Sequence, residues 1–275
     1  MPKNHVIYDN FVLENKVEDM LETMLAVRNL MTIDDSLVAE AGMKKIIHKY
    51  DYEGQVERLA MGVGNTVSGK VTFVEEEYDV QVAQQQFSYF DEQAMKDPMV
   101  IEVGLKGAAT TMVNDMNNQF FAELAKATIE LPIAGEALCY DDIVDAIALM
   151  QVQNTIGGVT VENENGLVLL IGTDLKAEIR KDEDFKRANQ GEILFSGQVG
   201  NICDIPVVHS RMVPEGTAYL LTREAVTLFV KKESEVEQDR QANIRRNDVY
   251  LRKVNLCALT DATRLVKIKK SEKSE

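Results

Sequence analysis

The longest regular pattern of apolar residues lies in segment 97–128. Apolar side chains recur there every fourth residue with apolar neighbours on the same side, at Met112, Val113, Met116, Phe120, Phe121, Leu124 and Ala127. This period predicts one long helix with a continuous apolar face. Asp97 and Pro98 mark its start. The Asp97 carboxylate can accept a hydrogen bond from a free N–H of the first turn. Proline is tolerated at the first helical position because the N–H that it lacks would have no partner there.

The predicted helix is long for a chain of this size. No proline follows until Pro132, so the helix can span about 31 residues, or roughly 46 Å. A compact chain of 275 residues has an expected radius of gyration of only about 19 Å. The helix therefore predicts an elongated protein, unless Gly104 and Gly107, each costing roughly 1 kcal/mol relative to alanine, break it near its start.

Residues 51–90 change to a pattern typical of strands. Two extended runs, about 54–61 and 70–82, flank a glycine-rich centre, and the second run alternates apolar and polar residues in short stretches. This predicts a long β-hairpin. Two strands alone are marginally stable in water, so the hairpin needs a partner surface. Gly62 and Gly64 do not indicate a dinucleotide loop, because Val67 replaces the third glycine and no helix follows.

Residues 1–50 have helical apolar spacing in polar surroundings, at Val17, Met20, Leu21, Met24, Leu25 and Val27. Two interpretations carry equal weight. The segment is an arm that lies against a neighbouring subunit, or it is an N-terminal helix packed on its own domain.

The rest of the chain predicts a mixed α/β region followed by returning strands. Asp141 or Asp142 caps a short helix, and Thr173 caps another. Strands are predicted at 167–171, 205–208, 218–221, 226–230, 249–259 and 263–268, with a turn at 214–217 and a polar link at 231–247. The fold class is therefore α+β.

Composition and charge exclude several classes of protein. An apolar content of 45% predicts a folded chain, and no window is long and apolar enough for a signal peptide or a membrane span. The net charge of −15 repels nucleic acid on average, and the sequence has no cluster of basic residues typical of a nucleic-acid-binding element. An acidic protein can still enclose DNA without gripping it.

The residues that carry catalysis or bind metals are sparse and scattered. Cys139, Cys203 and Cys257 form no CxxC pair, so neither a zinc site nor a disulfide framework is indicated, and reduced thiols packed as small apolar groups are expected. The three histidines have no metal-site spacing. His209 and Ser210 are adjacent strand residues, which point to opposite faces and cannot form a nucleophilic pair. No enzyme activity, cofactor or metal is expected.

A set of short motifs in a fixed order covers roughly residues 40–268. They are Ala41–Met43, Lys45–Tyr50, Leu59–Gly62, Gly64–Thr66, Tyr89–Gln93, Asp97–Val100, Gly200–Val208, Val213–Ala218, Glu224–Phe229 and Ala258–Thr263. In this order the sequence resembles the major capsid protein of tailed bacteriophages, the Hong Kong 97-type capsid fold that is shared with encapsulins.

The resemblance implies a domain organisation and a shell-forming function. The implied regions are an N-terminal arm (1–50), an extended loop (51–90), a peripheral domain with the spine helix (91–136 and 223–268), an axial domain (137–222) and a flexible tail (269–275). Members of this family gather as hexamers and pentamers into an icosahedral shell around double-stranded DNA. The arm and extended loop would lie across neighbouring subunits.

The resemblance also implies partners and a location. The expected partners are other copies of the chain, scaffolding, portal and decoration proteins, and DNA bound without sequence specificity; no membrane is expected. Because the arm begins almost at Met1, the scaffolding protein is expected to be separate or absent. The location is the virion, with assembly in the bacterial cytoplasm. There are two alternatives to this function. One is an encapsulin-like compartment with a protein cargo, and the other is an α/β enzyme built on residues 137–222.

The residues predicted to matter for assembly form two groups. Gly62, Gly64, Asn65, Gly69 and Lys70 lie at the hairpin tip, and Asp97, Pro98, Gly104 and Gly107 lie at the start of the spine helix. The two spine glycines are expected to mark a bend or a close subunit contact. Some members of the family cross-link subunits through a lysine and an asparagine, but a lysine at a loop tip is ordinary, so no cross-link through Lys70 is expected.

Overall fold

The computed structural model describes residues 10–25, 27–39, 41–133, 135, 137–153, 155–156, 159–160, 166–181, 201–202 and 205–270. Contacts within the chain form two compact units. The first unit comprises Met1–Met43, Val80–Ala125 and Val226–Ala258, and the second comprises Lys44–Asp79, Lys126–Ala225 and Leu259–Glu275.

The described residues form a mixed series of helices and strands. The helices are α1 (Asn10–Met24), α2 (Asp91–Lys96), α3 (Met99–Leu124), α4 (Tyr140–Gln153) and α5 (Thr173–Ile179). The strands are β1 (Thr32–Asp34), β2 (Lys44–Glu53), β3 (Lys70–Asp79), β4 (Gln81–Phe90), β5 (Ile129–Pro132), β6 (Thr155–Ile156), β7 (Val159–Thr160), β8 (Leu167–Ile171), β9 (Asn201–Ile202), β10 (Ile205–His209), β11 (Thr217–Thr222), β12 (Val226–Gln241), β13 (Arg246–Leu259) and β14 (Leu265–Lys269).

The first unit is a four-stranded sheet packed with the helices α1, α2 and α3. Its strand order is β1-β12-β13-β4, with β1 parallel to β12 and β4 antiparallel to β13. Helix α3 contacts α1, β4 and β12, and α1 contacts β12. The predicted apolar face of α3 is confirmed, because every fourth residue of its second half is buried, at Met112, Met116, Phe120 and Leu124.

The long helix begins where the sequence predicts and ends earlier. Asp97 Oδ1 accepts a hydrogen bond from Met99 N at 2.9 Å, and Pro98 already has helical angles (φ −59°, ψ −21°). The helix has 26 residues and ends at Leu124, because the chain then turns into β5, which pairs in parallel with β14. It continues through Gly104 and Gly107, so the expectation that these glycines could break it is wrong.

Helix α1 packs on its own unit. Its apolar residues Leu13, Val17 and Leu21 are at most 3% exposed, on the side that meets α3 and β12. For the described part of residues 1–50, the structure therefore supports the second interpretation, an N-terminal helix packed on its own domain.

The second unit contains a six-stranded sheet in the order β5-β14-β11-β8-β10-β9. Strand β8 lies between β11 and β10 and is nearly all buried, which confirms the strand predicted from its continuous apolar run. The predicted strands 205–208 and 218–221 are β10 and β11. Their connection contains the predicted turn, where Thr217 N donates to Pro214 O at 3.2 Å and Gly216 has a φ of +68°.

The helix starts of the second unit differ slightly from the predictions. Asp142 reaches back to accept from Cys139 N at 3.0 Å, so it stabilises the first turn of α4 from inside the helix. Thr173 is the first residue of α5 and Gly172 precedes it without a side-chain cap, so the predicted threonine cap is wrong by one position.

The polar link predicted at 231–247 is wrong. Strand β12 runs without interruption to Gln241, and a four-residue turn leads into β13. The polar residues form cross-strand pairs instead, such as Arg252 Nη2 with Glu237 Oε2 at 2.6 Å. The closing strands also separate, because β13 joins the four-stranded sheet and β14 joins the six-stranded one.

The first strand of the predicted hairpin is also misplaced. The strand opposite β3 is β2, Lys44–Glu53, whereas residues 54–69 form the connection between them. The division into arm, extended loop, peripheral domain and axial domain stays a prediction. No helix among the described residues has the length and apolar character needed to cross a membrane.

Candidate assembly surface

The hairpin β2–β3 has two chemically different faces. Its strands pair antiparallel over their full length, from Lys44 opposite Asp79 to Glu53 opposite Lys70. Because side chains alternate between faces along a strand, Tyr50 and Tyr52 share one face with their partners Phe73 and Val71. These four residues define the hairpin apolar face.

The hairpin apolar face is open to solvent in the isolated chain. Tyr50 is 70% exposed, Tyr52 66%, Val71 61% and Phe73 56%. The rings of Tyr50 and Phe73 contact each other with centroids 6.1 Å apart, and His48 lies edge-on to Phe73 at 5.8 Å. A contiguous cluster of exposed aromatic and aliphatic side chains is typical of a protein–protein contact site.

Charged pairs hold the hairpin strands in register. Lys44 Nζ lies 2.5 Å from Glu77 Oε1, and Lys49 Nζ lies 2.8 Å from Glu76 Oε2. The hydrogen bond from Lys49 lowers the pKa of Glu76, and the hydrogen bond to Glu77 raises the pKa of Lys44. Exposed pairs of this kind add little stability, so their main effect is on strand alignment.

The hairpin tip is organised by a residue that the sequence did not indicate. The Glu57 carboxylate accepts from Thr66 N at 2.8 Å, from Thr66 Oγ1 at 2.7 Å and from Val67 N at 3.3 Å. These hydrogen bonds lower the pKa of Glu57. A glutamate nine residues before a threonine is an ordinary spacing, so only the folded loop shows that Glu57 ties the tip together.

The predicted tip residues surround this contact without sharing one role. Gly62 has a φ of +86°, in the left-handed region that favours glycine, and Gly64 faces open space. Asn65 Nδ2 donates to Val67 O at 3.3 Å. Gly69 lies against the Tyr52 ring, and Lys70 is the first residue of β3.

The two spine glycines have different surroundings. A Cβ atom at Gly104 would lie 2.5 Å from the Phe87 ring of β4, so glycine permits close packing of α3 on that strand. At Gly107 a Cβ atom would meet nothing within 4 Å. The close approach at Gly104 is therefore made within the chain. A subunit contact at Gly107 stays a prediction, as do the assembly roles of the tip residues and of Asp97 and Pro98.

His209 and Ser210, which could in principle take part in catalysis, make ordinary structural contacts. His209 Nε2 lies 3.4 Å from Thr173 Oγ1, while the Ser210 hydroxyl accepts from Met212 N at 3.1 Å. Burial lowers the pKa of His209, and the nearby cations Lys176, Arg211 and Arg180 lower it further. The histidine and serine thus have separate partners.

The cysteines and acidic residues do not form a metal site in the described part of the chain. The Cys139 thiol lies 3.0 Å from Asp142 Oδ2, and Cys257 is buried; Cys203 lies outside the described residues. No three His, Cys, Asp or Glu side chains among the described residues gather closely enough to hold an ion.

The sequence matches a family of known proteins. The model of the family described as phage capsid protein matches residues 74–268, which is more than half of the chain. The chain belongs to the phage capsid protein family. Family and fold together make this capsid protein a structural subunit of a capsid shell. No curated protein sequence matches it.

Solved structures with a similar fold include two from bacteriophages. A chain from Mycobacterium phage Che8 is 14% identical, with 86% of this chain and 88% of that chain covered and a TM-score of 0.64. The capsid of Ralstonia phage GP4 is 12% identical, with coverages of 90% and 89% and a TM-score of 0.63.

A virus-like particle has a similar fold. The virus-like particle from Pyrococcus furiosus is 9% identical, with 94% of this chain and 98% of that chain covered and a TM-score of 0.63. At these identities the likeness shows the fold alone. The α+β capsid fold predicted from the ordered motifs is confirmed.

Proposed function

We propose that this capsid protein is the major subunit of an icosahedral phage head, assembling as hexamers and pentamers around double-stranded DNA. The observation that carries the proposal is the family match over residues 74–268. The folded chain adds a physical reason for self-association, since it exposes a cluster of aromatic residues that a stable monomer would bury.

The hairpin β2–β3 is the proposed contact to a neighbouring copy. Two strands without a third are marginally stable in water, and the hairpin apolar face stays more than half exposed in the isolated chain. Burying Tyr50, Tyr52 and Phe73 on another subunit would remove that apolar area from water. Both the hairpin and the contact would gain stability from it.

The charge of the chain favours enclosing DNA over gripping it. With a net charge of −15, the average interaction with a phosphate backbone is repulsive. A wall of such subunits would confine DNA without immobilising it. The closing strands carry a local set of cations, at Arg252, Lys253, Arg264, Lys267, Lys269 and Lys270, but several of these already bind carboxylates, such as Arg252 with Glu237 and Lys253 with Glu18.

The wider assembly follows from the same proposal. Scaffolding, portal and decoration proteins are its proposed partners, the mature virion its location and the bacterial cytoplasm its place of assembly. The subunit itself acts as a building block without catalysis.

A protein compartment without a genome is the second candidate. The observation that favours it is the shared fold with the virus-like particle from Pyrococcus furiosus, whose chain is covered almost completely. The two candidates differ in the contents of the shell.

Electron microscopy of the purified full-length protein, followed by nuclease digestion and extraction, tests both. Closed particles that retain double-stranded DNA after digestion are expected for a phage head, with DNA supplied by packaging in the host. Particles from lysed host cells that hold a protein cargo, with none of them retaining protected DNA, would favour the compartment. A small oligomer at every concentration and salt tested would contradict both.

A further inference from the structure

The edge of β12 is covered by a helix over part of its length. Strand β1 pairs with β12 only at Thr227–Phe229, whereas β12 continues to Gln241. Farther along, two carboxylates of α1 reach the strand. Glu14 Oε1 accepts from Val236 N at 3.2 Å, and Glu18 Oε2 accepts from Ser234 N at 3.3 Å. Side-chain oxygens thus occupy backbone donors that a neighbouring strand would otherwise use.

The spacing of the two glutamates fits the spacing of the two donors. Residues four apart on a helix are separated by about 6 Å along its axis, and residues two apart on a strand by about 6.7 Å. The N–H groups of Ser234 and Val236 point to the same edge of β12, because backbone groups two residues apart share an edge. One placement of α1 therefore satisfies both donors.

Glu18 also connects α1 to the next strand. Its Oε1 accepts from Lys253 Nζ of β13 at 2.9 Å, and the Lys253 side chain is only 8% exposed. The Ser234 hydroxyl donates to Glu18 as well. Burial raises the pKa of Glu18, but the hydrogen bonds from Ser234 and Lys253 outweigh it and hold the pKa below the ordinary value of 4.5.

A small cleft lies beside this contact. A cavity of about 130 Å³ adjoins it, lined by Glu18, Leu21, Leu25, Met116, Val230 and Lys253 among others. This cavity is partly open to solvent and lies at the edge of the core. Burial of Leu13, Val17 and Leu21 anchors α1 on its unit, and the contacts of Glu14 and Glu18 fix its position on the strand edge.

We propose that α1 guards the edge of β12 against strand addition by the same edge of a second copy of this chain. An uncovered strand edge is a template for another strand. Two identical edges can pair antiparallel about a two-fold axis and close into a dimer with no other component. Residues 231–241 contain no proline that would block such pairing. The inference concerns the unassembled subunit, so it stands whether the shell encloses DNA or protein.

Hydrogen exchange on the full chain, below the concentration at which particles form, tests the guard. In the variant E14A/E18A, diluted until it is no larger than the native unassembled form, the amides of Ser234 and Val236 are expected to exchange about tenfold faster or more, the change that accompanies loss of a charge-assisted hydrogen bond. At higher concentration light scattering is expected to detect a species of twice that mass, in which strand pairing protects both amides again. Exchange of both amides at the native rate in the dilute variant would overturn the proposal.

Two further variants isolate the cause. Glu102→Gln breaks the pair between α1 and α3, Lys16 Nζ to Glu102 Oε1 at 2.7 Å, and is the matched control that leaves both amides protected. Adding Ser234→Pro to the double variant removes an edge donor and is expected to abolish the doubled mass. A doubled species that persists with proline present would show that β12 does not form the contact.

A milder variant covers the case in which E14A/E18A does not fold. Glu14→Ala alone keeps the buried pair of Glu18 and Lys253 intact. It is expected to speed exchange at Val236 and leave Ser234 protected. Unchanged exchange at Val236 in this folded variant would overturn the guard role of α1.

Discussion

The hairpins β2–β3 and β12–β13 place their apolar residues in opposite environments. The strands of β12–β13 lie between β1 and β4, and α1 and α3 contact β12, so that Val249 and Leu251 are almost fully buried. The strands of β2–β3 form a two-stranded sheet of their own, and Tyr50 and Phe73 are exposed.

The comparison teaches where each hairpin obtains its stability. Apolar side chains gain free energy only when something covers them. In β12–β13 the cover comes from the same chain, whereas in β2–β3 we propose that it comes from a neighbouring subunit. The polarity of a strand does not distinguish the two cases, since the highly charged part of β12 belongs to the main sheet of its unit.

Replacing the whole hairpin 44–79 by a short Gly-Ser linker gives the largest contrast. Val80 N donates to Met43 O at 2.8 Å, so the ends to be joined are already adjacent. Assembly is expected to be lost completely, because the proposed contact to the neighbour is gone, while the remaining chain still unfolds cooperatively. Electron microscopy and thermal unfolding measure the two outcomes.

The equivalent shortening of β12–β13 provides the control for that experiment. Removing the half of this hairpin that adjoins its turn takes away Val236, Val249 and Leu251, which are buried in the core of the first unit. The chain is expected not to fold. Particles formed by the chain without β2–β3 would show that this hairpin is dispensable and would remove the basis of the comparison.

Leu251→Ala tests the buried hairpin at a single position. Leu251 is fully buried, and truncation of such a residue costs about 2–5 kcal/mol through lost transfer free energy and the cavity that remains. The free energy of unfolding of the unassembled chain, measured by denaturant titration, should fall by that amount. A change below about 0.5 kcal/mol would mean that β13 is not part of the core.

Phe73→Ala tests the exposed hairpin in the same way. Because Phe73 is 56% exposed, its removal is expected to change the unfolding free energy of the unassembled chain by less than about 0.5 kcal/mol. The concentration needed for particle formation should rise roughly tenfold, as for the loss of an aromatic anchor from an interface.

Val74→Ala is the matched control for Phe73→Ala. Val74 is the next residue along β3, is similarly exposed and lies on the opposite face of the hairpin. It is expected to leave the assembly concentration unchanged. An equal effect of both substitutions would show that the hairpin apolar face is not the contact.

Lowering the pH is expected to weaken the contact of α1 with the edge of β12 more than the pairing of β2 with β3. The pKa of Glu18 is lowered in the folded chain, so its contribution to stability is fully present above the ordinary value of 4.5 and is lost as the pH falls through the lowered pKa. The charged groups around it are Lys253, its direct partner, and Arg28, Asp35 and Glu233, which line the same cavity. Unfolding curves of the native chain and of Glu18→Gln should therefore differ at pH 7 and converge at lower pH.

Glu76→Gln in the exposed hairpin is the reference for the acid experiment. The pKa of Glu76 is also lowered, chiefly by Lys49, but its pair is more exposed to solvent and is expected to contribute less. A larger pH-dependent difference for Glu76→Gln than for Glu18→Gln would reverse the assignment of the acid-sensitive contact.

Sequence reasoning predicted the elements whose signals are local. Asp97 and Pro98 mark the start of α3 by their own chemistry, and the apolar run of β8 needs no partner to be recognised. The strand β2 was missed because its residues mix charged and apolar types. Its partner β3 and the contacts between them, such as Lys49 with Glu76, appear only when the register is known.

The polar half of β12 was missed for a related reason. The residues after Val230 alternate little in hydrophobicity, which predicts a polar link. In the structure their backbone pairs with β13, and the N–H groups at the free edge donate to Glu14 and Glu18. Likewise, no local pattern indicates that Glu57 accepts hydrogen bonds at the hairpin tip. The sequence shows that Gly104 is unusual in a helix, but not that it packs against Phe87. Long-range partners of single residues lie beyond what local patterns can predict.

The exposed tyrosines of the hairpin also give the protein a built-in optical signal. The chain contains eight tyrosines and no tryptophan, so tyrosine emission is not lost by energy transfer to an indole. Tyr50 and Tyr52 are both well exposed, and covering them would change their emission and absorbance. The proposed burial of this hairpin on assembly can therefore be followed in real time on the unlabelled native chain.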